Sequence, residues 1–283
     1  MTTDAPWWSL TFLAPDIDLL TTIAFTAGAS GVHELDQDHL RAYVRGSAEE
    51  AAQLACVLGQ YGAARITTEQ VVVQDWLRGG WTDPRQVGAF TLHPMLTTGE
   101  TESRADHIAL IPGMGFGTGD HATTAMILEA MSRIPVPTSG RILDIGTGSG
   151  VLAIAAVKLW KRPVLAIDID DDALANALEN AQMNCAADMI RFEHRSLSEL
   201  PEEAFPVVLA NLYAELLAEF EPLLARRCAQ GGYALLSGVL EKLDPVIRQA
   251  FSPPLWRCVE VVARAGWMGY VFTREVTHEG GIL

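Results

Sequence analysis

The run Ile142-Leu143-Asp144-Ile145-Gly146-Thr147-Gly148-Ser149-Gly150 leads from an apolar strand, predicted over 141–145, into a helix of small residues, predicted over 151–160. Glycines leave the backbone bare for a ligand to approach. A helix N-terminus adds free N–H groups, so the turn suits a nucleotide-type ligand. Asp168 follows Gly146 by 22 residues, at the end of the next predicted strand. Its carboxylate is placed to accept hydrogen bonds from both hydroxyls of a ribose. Asp170, Asp171 and Asp172 open the following helix and read as acids that meet its dipole.

Spacing narrows the cofactor. A dinucleotide loop usually sets its third glycine three residues after the second, leaving room for a pyrophosphate. Here Gly146, Gly148 and Gly150 alternate, and the acid Asp144 precedes them. This form resembles the first motif of the class I S-adenosylmethionine-dependent methyltransferases. Upstream, Pro112 to Thr124 is a second glycine-rich loop, G-F-G-T-G-D-H-A-T-T over 115–124, entering a predicted helix over 123–131. With Ala210-Asn211-Leu212 downstream, the pattern resembles the ribosomal protein L-eleven methyltransferase (PrmA) family along the whole chain.

The resemblance implies S-adenosylmethionine as cofactor, with contacts from Thr124, Gly146, Asp168 and Asn211; Asp144 and Gly148 join them in the loop. It also implies methyl transfer to lysine or N-terminal amines of a basic protein, a ribosomal one and in particular L-eleven. Asn211 ends a strand where amino methyltransferases place an oxygen that accepts from the target amine. Relatives that act on adenine or a glutamine amide continue with two prolines and a tyrosine, unlike Asn211-Leu212-Tyr213-Ala214. His121 is a candidate proton relay or a structural loop residue. Phe116 is a candidate wall of the amine channel or plain packing. The family commonly has cysteine where Thr147 stands, and a tryptophan-rich pattern that residues 75–106 lack. Another protein or a small-molecule amine remains the alternative substrate.

The elements that must position these residues fall into two groups. From His107 to Leu283, strand and helix alternate and end in two strand-like runs, 256–264 and 267–274, joined only by Ala265-Gly266. That pattern predicts a parallel sheet covered on both faces, with an antiparallel hairpin at its edge. The resemblance makes this a Rossmann-like α/β methyltransferase domain with a seven-stranded sheet. Residues 1–74 read as β-α-β-β-α-β, a ferredoxin-like α+β unit for substrate recognition, with a capping box at Ser47 and Glu50. Between them, periodicity fades over 75–106 while Gly79, Gly80, Pro84, Gly88, Pro94 and Gly99 accumulate, which predicts a linker.

Composition excludes several classes. The 283 residues are 49% hydrophobic and 19% charged, enough to bury a core without metal or disulfide staples. A net charge of −15 repels a phosphate backbone, so no direct nucleic-acid binding is expected and a basic partner is. Cys56, Cys185, Cys228 and Cys258 form no C-x-x-C pair, which argues against zinc and for free thiols. The N-terminus has no basic region before its apolar residues, and the expectation is a cytoplasmic protein with no membrane partner.

Overall fold

The structure is a computed structural model that describes residues 6–29, 31–71, 84–94, 104–111 and 121–276. These fall into two compact units, one up to Val71 and one from Pro84 onward.

The first unit runs β1 (Trp7–Leu13), α1 (Ile17–Thr26), β2 (Gly31–Glu34), β3 (His39–Arg45), α2 (Ala48–Gln60) and β4 (Ala64–Val71). Its sheet has the order β2-β3-β1-β4 with every pair antiparallel. Alternation decides the faces: Leu10 and Phe12 of β1 and Leu40, Ala42 and Val44 of β3 point to one side, where Leu20, Ala24, Leu54 and Leu58 of the helices cover them. The capping box forms, with Glu50 N donating to Ser47 Oγ at 3.3 Å and Ser47 N to Glu50 Oε2 at 2.6 Å. The sequence predicts this last strand over 64–73, and Val72 and Val73 lie outside the described residues.

The second unit begins with β5 (Arg85–Val87), β6 (Phe90–Pro94) and β7 (His107–Leu110), a three-stranded sheet in that order. Residues 84–94 were expected to belong to the linker. They instead bury Val87, Phe90 and Leu92 in the core of this unit. Strands of three and five residues are too short for a period-2 pattern to stand out among glycines and prolines.

The main sheet follows. Along the chain come α3 (Ala122–Met131), β8 (Ile142–Ile145), α4 (Val151–Trp160), β9 (Val164–Asp168), α5 (Asp171–Met183), β10 (Ile190–His194), β11 (Phe205–Asn211), α6 (Ala214–Arg227), β12 (Cys228–Leu240), α7 (Asp244–Ala250), β13 (Trp256–Arg264) and β14 (Trp267–Arg274). The seven strands lie in the order β10-β9-β8-β11-β12-β14-β13, parallel from β10 to β12 and antiparallel at β12-β14-β13. Successive residues of each central strand enter opposite cores. Ile142, Val164 and Leu209 join the one under α3 and α4; Leu143, Leu165 and Val208 join the one under α6 and α7. Burial on both faces explains why these strands read as continuous apolar runs.

Two expectations shift. The strand-helix alternation predicts a strand over 233–238 and a helix over 240–251; β12 instead starts at Cys228 and runs through Leu240. The helix itself starts at Asp244, with Pro245 in its first turn, where a missing N–H costs no helical bond. The hairpin is as predicted: Arg264 pairs with Trp267, and Ala265 and Gly266 both have positive φ, 51° and 79°. Two bidentate ion pairs, Arg264 with Glu129 of α3 and Glu260 with Arg133 just beyond its end, tie this helix and the turn after it to β13. Among the described residues, no helix is long and apolar enough to cross a membrane.

Candidate active site

At the C-terminal ends of β8 and β9 the chain turns twice in contact with itself. Gly146 N and Thr147 N both donate to Ile167 O, at 2.9 and 3.1 Å. Gly146, Gly148 and Gly150 have φ of 65°, 53° and 79°, in the left-handed region that disfavours a side chain. Space excludes one as well: a Cβ on Gly146 would lie 2.7 Å from Leu212 Cδ2, and one on Gly150 would lie 3.0 Å from Ala177 Cβ. Gly150 also starts α4 without a side-chain cap, so the helix's first N–H groups face the turn.

Asp144, the last but one residue of β8, is fully buried. Its Oδ2 accepts from Thr147 Oγ1 at 2.7 Å, while its Oδ1 is buried with no hydrogen-bond partner among the described residues. Burial pushes this carboxyl up to about 7; the Thr147 hydroxyl pulls the other way and the Asp168 charge adds to the rise. Thr147 thus has a task, and a hydroxyl is a stronger donor for it than the thiol common in the resembled family.

Asp168 ends β9 and ties the two turns together. Its Oδ2 accepts from Gly148 N at 2.9 Å, and its Oδ1 accepts from Ile169 N at 2.8 Å and Asp170 N at 3.2 Å. A carboxylate has about four lone-pair sites, so three N–H groups leave room for about one more strong donor, one ribose hydroxyl rather than the two expected from the sequence. Asp170, read from the sequence only as an acid meeting the helix dipole, also caps α5, accepting from Asp172 N at 2.9 Å. Beside Asp168, the Ile169 side chain is 73% exposed.

The second cluster sits at the end of β11. Asn211 Nδ2 donates to Thr123 Oγ1 at 3.1 Å and Thr124 Oγ1 at 3.2 Å, and both threonines are buried in the first turn of α3. With its amide nitrogen so engaged, Asn211 keeps a buried Oδ1 with no hydrogen-bond partner among the described residues. His121 is the N-cap of α3; its Nδ1 accepts from Thr123 N at 3.4 Å and lies 2.8 Å from Thr123 Oγ1. Its ring meets Trp267 edge-on at 4.9 Å. His121, Thr123 and Asn211 therefore form one hydrogen-bonded chain.

The structure brings Asp144, Gly146, Gly148 and Asp168 together in one cluster and Thr124, His121 and Asn211 in another. Leu212, packed on Gly146, follows Asn211 directly and joins the two. Phe116 lies outside the described residues, as does the rest of Pro112 to Asp120. Sequence reasoning missed Thr123 and Thr147. The T-T pair was itself the signal for Thr123, since only one of its hydroxyls was used.

A model of the family described as ribosomal protein L11 methyltransferase (PrmA) matches residues 21–275. A Geobacter sulfurreducens protein named ribosomal protein L11 methyltransferase is 36% identical over 259 residues, spanning 87% of this chain and 85% of its own. A Sorangium cellulosum protein of the same name is 34% identical over 262 residues, spanning 85% and 81%. Among solved structures, a ribosomal protein L11 methylase from Lactobacillus delbrueckii subsp. bulgaricus superposes with a TM-score of 0.61 at 30% identity, over 68% of this chain and 99% of that one.

Proposed function

The chain belongs to the ribosomal protein L11 methyltransferase family, and from that premise we propose that it transfers methyl groups from S-adenosylmethionine to lysine or N-terminal amines of ribosomal protein L11. The observation that carries the reading is Asn211, whose donor end is held by two threonines while its acceptor end is buried with no hydrogen-bond partner among the described residues. A buried orphan acceptor is costly unless something donates to it, and an amine or ammonium does so.

The residues present fit the cofactor. Gly146 and Gly150 have no room for a Cβ, the α4 N-terminus offers N–H groups, and Asp168 has about one acceptor position left for a ribose hydroxyl. Ile169 offers an apolar surface beside it that a purine can cover. Gly146, Gly148, Asp168, Asp144 and Thr124 are the binding set in this reading. When bound, S-adenosylmethionine supplies an electrophilic methyl on a sulfonium. The protein therefore needs no covalent intermediate; it must hold the amine in line, exclude water and keep the nitrogen lone pair free. Asn211 Oδ1 orients the amine by accepting one of its N–H bonds. His121, through Thr123, fixes the rotation of the Asn211 amide and so which end faces the amine.

We read the first unit as a ferredoxin-like substrate-recognition domain, on its β-α-β-β-α-β order and its β2-β3-β1-β4 sheet. Residues 84–94 group with the catalytic unit, which moves the end of the proposed linker back from 106 to before Pro84. The net charge of −15 favours a basic partner over nucleic acid, and the four cysteines, all free thiols, suit a reducing cytoplasm. Intact-mass spectrometry of purified L11, incubated with enzyme and S-adenosylmethionine, tests the assignment. Mass steps of one methyl group each are expected; an unchanged mass with folded, cofactor-binding enzyme overturns it.

A further inference from the structure

Helix α5 and its C-cap carry Asn176, Asn180 and Asn184 at four-residue intervals, a pattern the methyl-transfer chemistry above leaves unused. Asn180 and Asn184 are buried. Strand β7 pairs with β6 along one edge, so the backbone groups of its other edge need partners. Asn184 supplies them at Ala109: its Oδ1 accepts from Ala109 N at 3.0 Å and its Nδ2 donates to Ala109 O at 2.6 Å. One helical turn earlier, Asn180 Oδ1 accepts from Ile111 N at 2.8 Å, and Asn176 Nδ2 reaches Ile111 O at 3.5 Å. Four helical residues rise about 6 Å and two strand residues about 6.7 Å, so the amides match alternate strand residues. The helix stands in for a missing strand.

Asn180 does one thing more. Its Nδ2 donates to Ser149 O at 2.9 Å. Ser149 lies between Gly148, whose N–H is held by Asp168, and Gly150, which packs against Ala177 of the same helix. The 149–150 peptide sets the direction in which α4 presents its first N–H groups. A single buried amide thus fixes both that peptide and Ile111, the residue that precedes the Pro112 to Asp120 glycine segment in sequence.

We propose that Asn180 is a positioning residue: its side-chain amide holds the glycine turn in register with β7, and the turn's affinity for the cofactor depends on it. The proposal rests on reading that turn as the S-adenosylmethionine site. Titration of the full-length protein with S-adenosylhomocysteine tests it, with Asn184→Ala as the reference for loss of the helix-strand ladder alone. Asn180→Ala should raise the Kd by about tenfold or more, the loss expected for a buried hydrogen bond. Asn184→Ala should lose comparable thermal stability while its Kd stays within about twofold of the wild type. Equal binding by wild type and Asn180→Ala overturns the role of Asn180, as does an equal loss in both variants. A wild type that binds no S-adenosylhomocysteine overturns the cofactor reading and this proposal with it.

Asn180→Asp covers the case of an unfolded alanine variant. It keeps the acceptor for Ile111 N, loses the donor to Ser149 O, and should show the same loss of affinity. The wild type offers a readout free of any substitution: S-adenosylhomocysteine should slow hydrogen exchange at the Ile111 amide. An Ile111 amide that exchanges at the same rate with and without S-adenosylhomocysteine overturns the coupling.

Discussion

The Asp168 carboxylate accepts the backbone N–H of Gly148 at 2.9 Å, across twenty residues of chain. The group assigned to the ribose is therefore also the fastener between the glycine turn and the end of β9. Its two tasks share one carboxylate, and a substitution there must be read for both.

Asp168→Ala should weaken cofactor binding by about tenfold to a hundredfold, since a hydrogen bond to a charged group contributes roughly 1.5–3 kcal/mol. It should also lower the melting temperature, because the N–H groups of Gly148, Ile169 and Asp170 lose their acceptor. Calorimetric titration with S-adenosylhomocysteine, well below the melting midpoint, separates the two effects. An unchanged Kd in the folded variant would remove Asp168 from the binding set.

Asp144 predicts a slope of stability with pH. The folded carboxyl keeps its proton up to about pH 7, whereas the unfolded chain releases it near 3.9. Between those values the native state binds more protons, so stability falls as pH rises from about 4 to 7 and levels off above. An amide in place of this carboxyl cannot titrate, so the stability difference, Asp144→Asn minus wild type, should climb over that range by an amount on the order of a few kcal/mol. Melting curves at pH 5, 6, 7 and 8 measure it. A difference that stays constant with pH would mean that Asp144 is ionised throughout.

How much of this was legible in the sequence depends on how far apart the partners lie. Ser47 and Glu50 are a local pair, and their capping box could be written down from spacing alone. The glycine turn was equally plain, because strand, turn and helix adjoin. Strands β5 and β6 were not, since three and five residues bordered by glycine and proline carry no measurable period. Nor could sequence show that Thr123 and Thr124 take the nitrogen of Asn211, 88 and 87 residues away. That contact depends on α3 crossing the end of β11, a matter of tertiary packing, yet it is what leaves the oxygen of Asn211 as the open acceptor.

Asn211→Asp tests that orientation. The aspartate cannot donate to Thr123 and Thr124, so both hydroxyls must turn to donate and the His121 chain is broken. The rate constant for methyl transfer should fall by about 10² or more, as when a positioned hydrogen-bonding group is lost from a reacting centre, with the Kd for S-adenosylhomocysteine changed less. Wild-type single turnover should in turn quicken with pH, by up to about tenfold per unit below the effective pKa of the amine, because only the neutral amine attacks. A flat profile from pH 6.5 to 8.5 would argue against an ordinary alkyl amine as the acceptor.

Removal of the first unit separates docking from chemistry. Its core, built from Leu10, Phe12, Leu20, Leu40, Leu54 and Leu58, is a separate cluster from the two that flank the main sheet. All the described residues assigned to cofactor and amine lie from His121 onward. A chain beginning at Trp81 keeps both of the latter cores and the whole candidate site, so it should fold and bind S-adenosylhomocysteine with a Kd within a few-fold of the full chain. Methylation of intact L11 should nonetheless be lost, because a flexible lysine or N-terminus offers little surface of its own and must be delivered by contacts made elsewhere. Free lysine or a short amine peptide at high concentration should show little difference between the two forms, since neither draws on docking. If the shortened chain methylates L11 at the full-length rate, recognition resides in the catalytic unit, and the β-α-β-β-α-β unit has some other role.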